Sequence, residues 1–535
     1  MKKALSFLMC FCSIYLFGQA PALEWQKLIG GSNQDNGSLV SIGQDGTILI
    51  GSYSNSNISG NKSQNSRGSY DYWLVKANPV GSVLWDKTMG AGPVTLFGPE
   101  NDILSSVSQT SDDSILVGGL SESSISGEKT EVSRGDYDYW LLKLNPSGAI
   151  LWDKTIGGDA YDGLSDFFET NDGNYIVAGF TLSSISGEKS EASRGLFDIW
   201  ILKLDTIKNI IWQKTIGGSG VDGLNKVIQT TDSGFVLGST SNSPISGEKT
   251  ESSFGGNDYW IVKLNSSGVI EWQKTIGGNS NEALTDIIQT VDGGYLVAGY
   301  SDSNTSGLKS ENSRGGYDFW VVKLDVNGTI QWEKTIGGND EDKLNAITQC
   351  SDSGYILTGS SKSNISGDKT EISNGSADGW IVKLNADGAI EWQKNLGGSL
   401  DDGFTYAKQM YDGSFVFTGF SFSSNSFDIT ETNHGGNDIW LVKLNAEGLS
   451  STGFDGLQGV TLYPNPASNM ITVDLNDYID NLNVTVSSVL GQVISQYNYT
   501  NQNRIDLELP NASGVYLVTL ESESKNRRVF KVIKQ

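Results

Sequence analysis

All fourteen tryptophans of this 535-residue chain fall into pairs, and the pairs recur on one period. The stretch "DYWIVKLNSSGVIEWQK" shows one pair, Trp260 and Trp272, around a turn-like segment. Trp73, Trp140, Trp200, Trp260, Trp320, Trp380 and Trp440 form one series, and Trp25, Trp85, Trp152, Trp212, Trp272, Trp332 and Trp392 the other. The spacing is sixty residues with one insertion of seven, the signature of a solenoid, propeller or array. Each unit holds four strand-like runs rich in β-branched and aromatic residues and bounded by Gly, Asp, Asn and Ser; in the fifth they are "ALTDIIQT", "GYLVAGYS", "DFWVVKLD" and "TIQWEKTIGG". Apolar residues on both faces of such runs suit the blade of a β-propeller, whose sheet is covered on each side by a neighbour.

With strands lettered A to D from the centre outward, the chain supplies seven A–B–C sets. It starts on a D strand, "ALEWQKLIG", and ends its last unit on a C strand, "NDIWLVKLN". This offset predicts an all-β, seven-bladed propeller over residues 23–449, closed by the N-terminal strand. Between C and D, "NSSG" predicts a three-residue hairpin loop with Gly at positive φ in six units and Lys208 in the other. That register sets Trp260 opposite Lys274 and Trp272 opposite Val262, with both indoles on one face. The tryptophans read as adhesive between blades rather than as sugar-stacking platforms. The A–B turn aspartates, such as Asp172 and Asp232, read as caps of their own backbone. Lys154, Lys274 and their equivalents read as guards of each blade's outer edge.

"MKKALSFLMCFCSIYLFGQAPA" has two lysines, an apolar core and small residues, the layout of a secretory signal peptide over residues 1–22 cleaved between 18 and 22. No later apolar run is long enough to cross a membrane as a helix. Cys10 and Cys12 leave with the peptide, so Cys350 is expected to remain alone and stability to come from packing. A net charge of -25 argues against nucleic acid as a partner.

The units, with "DYWLLKLNPSGAILWDKTIGG" as a sample, resemble bacterial seven-bladed propeller repeats of the SBBP type. The resemblance implies the fold and little about a ligand. After a linker at 450–459 the period gives way to alternating runs that predict a small C-terminal β-sandwich over residues 460–535. Here Tyr463-Pro464-Asn465-Pro466, Gly491-Gln492-Val493, Gly514-Val515-Tyr516 and the closing basic strand resemble the type A C-terminal sorting domain of the type IX secretion system of Bacteroidota. That resemblance implies the type IX machinery as a partner and delivery to the cell surface or the medium.

The chemistry on offer is sparse. His434 is the single histidine, so neither a Ser-His-Asp triad nor a histidine zinc site can be built. Asp340, Glu341 and Asp342, or Asp401 and Asp402, could serve as a glycosidase pair, but acidic residues recur at equivalent places in other blades, as at Asp162, Asp222 and Glu282. No catalytic or metal-binding residue and no cofactor is expected; calcium is the one ion the Asp- and Asn-rich loops suggest, without its usual ligand spacing. Two classes follow: a surface-displayed binding or adhesion propeller for a glycan or protein, and a polysaccharide-degrading enzyme with an acid pair in the central channel. The repeat breaks on the long-loop face at "AGPVTLFGPEND" and "FDITETNHGG", nominating Leu96, Phe97, Phe427, Ile429 and His434 as ligand contacts.

Overall fold

The computed structural model describes residues 18–534, apart from 44, 93–99, 411, 448–459, 465–466, 489–492, 511, 513 and 523–526. The chain divides into two compact units, residues 1–446 and 447–535.

Seven four-stranded antiparallel sheets make up the first unit. Blade 3 is representative: A is Asp162–Glu169, B Tyr175–Thr181, C Asp198–Leu204 and D Ile210–Ile216. Blade 7 takes Asp402–Gln409, Phe415–Ser421 and Asp438–Leu444 from the end of the unit and its D strand, Leu23–Ile29, from the start. Gln26 pairs with Val442 and Leu28 with Trp440, so the ring is closed by the N-terminal strand. Inner and middle strands B and C are buried on both faces, as the continuous apolar runs require.

The C–D hairpin differs from the expected register. Leu264 pairs with Ile270, but Lys263 pairs with Trp272 and Trp260 with Thr275. Glu271 is an extra, bulged residue, and a one-residue slip turns every later side chain to the other face. The two tryptophans of one hairpin therefore lie on opposite faces of the blade. The partner of Trp260 is Trp212 of the preceding blade, and the partner of Trp320 is Trp272; each such pair shares one apolar cluster. The adhesive role survives, now assigned across the junction. At about 25 cal/mol per Å2 over roughly 200 Å2, each fully buried C-strand indole contributes about 5 kcal/mol.

Its N–H is satisfied too. The residue after the D-strand tryptophan accepts it in all seven blades, from Asp86 and Trp73 to Gln26 and Trp440, at 2.6–3.3 Å. Turn expectations hold as well: Gly148, Gly268 and Gly328 have φ near 80° and Lys208 has φ 73°. Asp112, Asp232 and Asp292 accept the backbone N–H two residues on.

The outer edge is guarded by two residues rather than one. Lys154, Lys214 and Lys274 pair with Glu131, Glu191 and Glu251 of the long B–C loop. The same glutamates accept the backbone N–H of Thr155, Thr215 and Thr275 on the edge strand. The loop thus caps the edge, and the lysine holds the cap in place.

In the second unit, strands Thr461–Tyr463, Met470–Ser488, Val493–Glu508, Gly514–Ser522 and Arg527–Lys534 form one five-stranded sheet. Its long strands fold over a single core in which Ile471, Val473 and Leu507 from one end meet Val484, Val518 and Leu520 from the other. Among the described residues of either unit there is no helix long and apolar enough to cross a membrane.

Candidate functional site

Most of the acidic residues singled out by the sequence have structural work. Every A strand opens on a buried carboxylate: Asp35, Asp102, Asp162, Asp222, Glu282, Asp342 and Asp402. Each accepts a backbone N–H from the second residue after the D-strand end, as Gly158 to Asp162 at 2.7 Å. Every C strand opens on a second one, Asp138 in blade 2, packed against the first residue of the Gly-Gly pair; a Cβ at Gly157 would lie 2.0 Å from its Oδ1. A buried lysine from the loop accompanies them. Lys249 lies over the Trp260 ring at 5.0 Å and donates to Thr275. Burial pushes Lys62, Lys129, Lys249 and Lys369 down to about 8.

Asp342 and Asp402 belong to this scaffold, and Glu341 is held by Lys362 at 2.8 Å. The acidic runs around them are parts of separate blades, each tied to its own loop, and do not converge.

Of the five nominated contacts, Leu96 and Phe97 lie outside the described residues. Ile429 is in the core of blade 7, 1% exposed, where the other six blades place their buried lysine. His434 takes the place of Arg67 and Arg134. Its Nδ1 is 2.9 Å from Asp438 Oδ2, and its ring abuts Gly60 of blade 1. In blade 7 the lysine's place is therefore apolar, and the C-strand aspartate meets an imidazole nitrogen. Phe427 faces solvent, 68% exposed, with φ 49° where the other blades have Gly.

The long-loop face carries a feature that single-residue inspection passes over. Ile58, Ile125, Ile185, Ile245 and Ile365 occupy the same loop position in five blades and are 54–66% exposed. Their loops are hydrogen-bonded: a Ser-to-Lys bridge such as Ser246 to Lys249 closes each turn, and Ser243 and Ser246 accept from Gly220 and Ser219 of the D–A connection that leads into the same blade. The signal in the sequence was the recurring "SxIS" beside residues that have partners.

A second feature lies at the centre, where the A strands line the channel. The repeat position occupied by Leu39, Ser106, Asp166, Lys226, Asp286, Ala346 and Tyr406 is chemically different in nearly every blade. Lys226 Nζ is 2.8 Å from Asp166 Oδ1. Asp166 Oδ2 accepts Val227 N–H of the next blade. Asp286 accepts the N–H groups of Ile287 and Ile347, both at 2.9 Å. Burial pushes the Asp286 carboxyl up to about 6 in spite of Lys226. Burial alone would lower the lysine, but Asp166 and then Asp286 hold it above its ordinary value. These residues form a waist between a cavity of about 180 Å3 toward the long loops and one of about 470 Å3 toward the A–B turns. Among the described residues no cluster of three or more His, Cys, Asp or Glu is arranged to hold a metal ion.

Residues 461–535 match the family described as the secretion system C-terminal sorting domain. Of its motif residues, Tyr463, Pro464, Gly514 and Tyr516 are described, with Tyr516 donating its hydroxyl to Ala512 O at 2.7 Å; Asn465, Pro466 and Gly491 lie outside the described residues. Over 484 residues the chain is 22% identical to regulatory protein FlaEY of Caulobacter vibrioides, covering 84% of this chain and 48% of that protein. The chain thus spans about half the length of that relative. Among solved structures it is similar to BBS1N in complex with ARL6DN, with TM-score 0.39, 9% identity and coverage of 81% of this chain and 98% of that one. It is also similar to a PL25 ulvan lyase, with TM-score 0.32, 11% identity and coverage of 68% and 79%. The fold therefore rests on the seven sheets themselves, and the export route on the tail. The chain is a β-propeller protein with a type IX C-terminal sorting domain, secreted to the cell surface or the extracellular space.

Proposed function

We propose that this secreted propeller is a non-catalytic binding or adhesion module that engages a glycan or protein through its long-loop face, after removal of a signal peptide. The observation that carries the reading is the set of five equivalent exposed isoleucines on hydrogen-bonded loops. A lone surface isoleucine has no meaning, but five at one repeat position present the same weak apolar contact several times from a rigid ring. Simultaneous engagement multiplies such contacts into useful avidity. Replacing Ile58, Ile125, Ile185, Ile245 and Ile365 with Ser should leave the melting curve unchanged and abolish retention on immobilised polysaccharides and cell-surface proteins. Undiminished retention would refute the reading.

The second reading, a polysaccharide-degrading enzyme, is favoured by one observation: the channel brings together two carboxyls in unlike surroundings, Asp166 beside Lys226 and Asp286 pushed up by burial. Release of soluble sugar from those polysaccharides by the secreted protein, lost in Asp166→Asn, would establish it.

A further inference from the structure

We propose that the channel waist is a second ligand site, independent of the loop tips, that takes a single neutral or amino sugar residue, the terminal unit of a glycan, between Lys226, Asp166, Asp286 and Tyr406. Three observations carry this. First, the waist column carries unlike groups that meet at one point, whereas the opening carboxylate of the same strands repeats in all seven blades. At the waist a hydroxyl, two carboxylates, an ammonium group and a phenol face one cavity.

Second, the groups are preorganised and retain capacity. Asp166 and Asp286 are each 7% exposed and are fixed by backbone N–H groups of the next blade. Each carboxylate oxygen has two acceptor sites, and a single hydrogen bond to Asp286 Oδ1 or Oδ2 leaves one available. Lys226 has three donors, one of them directed to Asp166. A sugar hydroxyl both donates and accepts, so it can bridge ammonium and carboxylate, while the Tyr406 ring offers a flat apolar wall to the C–H face of a pyranose. Groups already held in place lose little conformational freedom on binding.

Third, size and charge limit the occupant. The upper cavity of about 180 Å3 opens toward the long loops and falls below the roughly 300–1,000 Å3 of sites for drug-sized ligands. It suits one ring and not a chain lying flat. Two carboxylates face one lysine, inside a protein of net charge -25, so a uronic acid or sulfated sugar is disfavoured and a neutral or protonated amino sugar is not.

The test uses the full secreted chain and isothermal titration with the methyl glycosides of glucose, galactose, mannose, xylose and rhamnose, with glucosamine, and with methyl glucuronide as the acidic control. At least one neutral or amino sugar should bind, methyl glucuronide should not, and Asp286→Asn and Tyr406→Ala, which removes the ring wall, should each weaken binding about tenfold, Asp286→Asn with a lowered melting temperature because its amide cannot accept both backbone N–H groups. Lys226→Met should weaken binding likewise. The five-isoleucine variant should bind the same sugar normally, which separates this site from the loop-tip reading. Absence of binding by every neutral and amino sugar, equal binding of the glucuronide, or full affinity in Asp286→Asn and Lys226→Met would each overturn the proposal. Loss of binding in the five-isoleucine variant would also overturn it, by moving the sugar to the rim.

Discussion

Raising the pH from 5 to 8 should loosen the propeller. At each junction the C-strand aspartate of one blade approaches the A-strand carboxylate of the next, and Oδ1 of all seven C-strand aspartates is buried without a hydrogen-bond partner. One proton held between the two carboxyls satisfies that oxygen and removes the repulsion. Burial first, and the neighbouring blade's carboxylate in addition, pushes Asp71, Asp138 and Asp198 up to about 6 and Asp318 up to about 7. A carboxyl with a folded pKa above its unfolded value holds more protons folded than unfolded, so its contribution to stability is lost as pH rises through the window between about 4 and 7. Moving one carboxyl from its ordinary 3.8 to about 6 corresponds to about 3 kcal/mol at about 1.4 kcal/mol per unit. The four together give a ceiling of about 13 kcal/mol. The realised loss is smaller, because Lys62, Lys129 and the other buried lysines gain attraction as the pairs ionise. Those lysines act with opposite sign above neutrality. Their folded pKa is lowered, so the stability they withhold is regained as pH rises beyond about 8. The turn aspartates set the acid limit, since hydrogen bonds from Thr110 and Ser114 hold Asp112 below its ordinary range. Calorimetry of the secreted protein from pH 4.5 to 9 at fixed ionic strength should show a maximum near pH 5 and a trough near pH 8. Asp318→Asn, isosteric and neutral, should flatten the slope by one junction's share. A melting temperature that is level or rises between pH 5 and 8 would show that the junction carboxyls do not share protons.

Three further outcomes follow from named contacts. Gln26→Ala strands the buried Trp440 N–H and should cost about 1–3 kcal/mol, measured by chemical denaturation; no change would mean that the N-terminal strand does not close the ring. Trp260→Ala empties the junction with Trp212 and should cost about 3–5 kcal/mol, whereas the half-buried Trp272 should cost less when replaced; equal losses would refute the assignment of the two series to different degrees of burial. Ending the chain before residue 461 should leave a folded propeller inside the native host, followed by fractionation and immunoblotting, and normal surface delivery would show that the tail is not the export signal.

How far the sequence could be read depended on whether a feature repeats. Period, strand order, closure by residues 23–29 and the positive φ of Lys208 all follow from a pattern written seven times, which averages out local ambiguity. The bulge at Glu271 did not show itself, because nothing in "GVIEWQK" distinguishes a bulged Glu from a paired one, and that single residue decided which face Trp272 occupies. Ile429 was nominated for a related reason. A departure from a repeat looks like a surface specialisation until burial reveals it as a substitution within the same structural slot, here apolar for cationic; His434, imidazole in place of guanidinium, stays exposed while its Nδ1 meets Asp438.

The waist escaped notice for the converse reason. Its residues fall at one repeat position but share no chemical type, so no motif marks them, and Asp166 reads as one more acidic residue among many. Sheet geometry supplies the missing rule. Fully buried positions between blades, the C-strand tryptophans above all, meet the same surroundings seven times and keep one residue type, while positions facing the axis meet one another. Seven strands there carry seven independent choices aimed at one point. A sequence can display such a site only after its repeats are aligned and the columns that refuse to repeat are compared with those that do. In this chain that comparison separates Lys226, Asp286 and Tyr406, which share the channel, from Asp222, Glu282 and Asp402, which open the same three strands and are held in the scaffold.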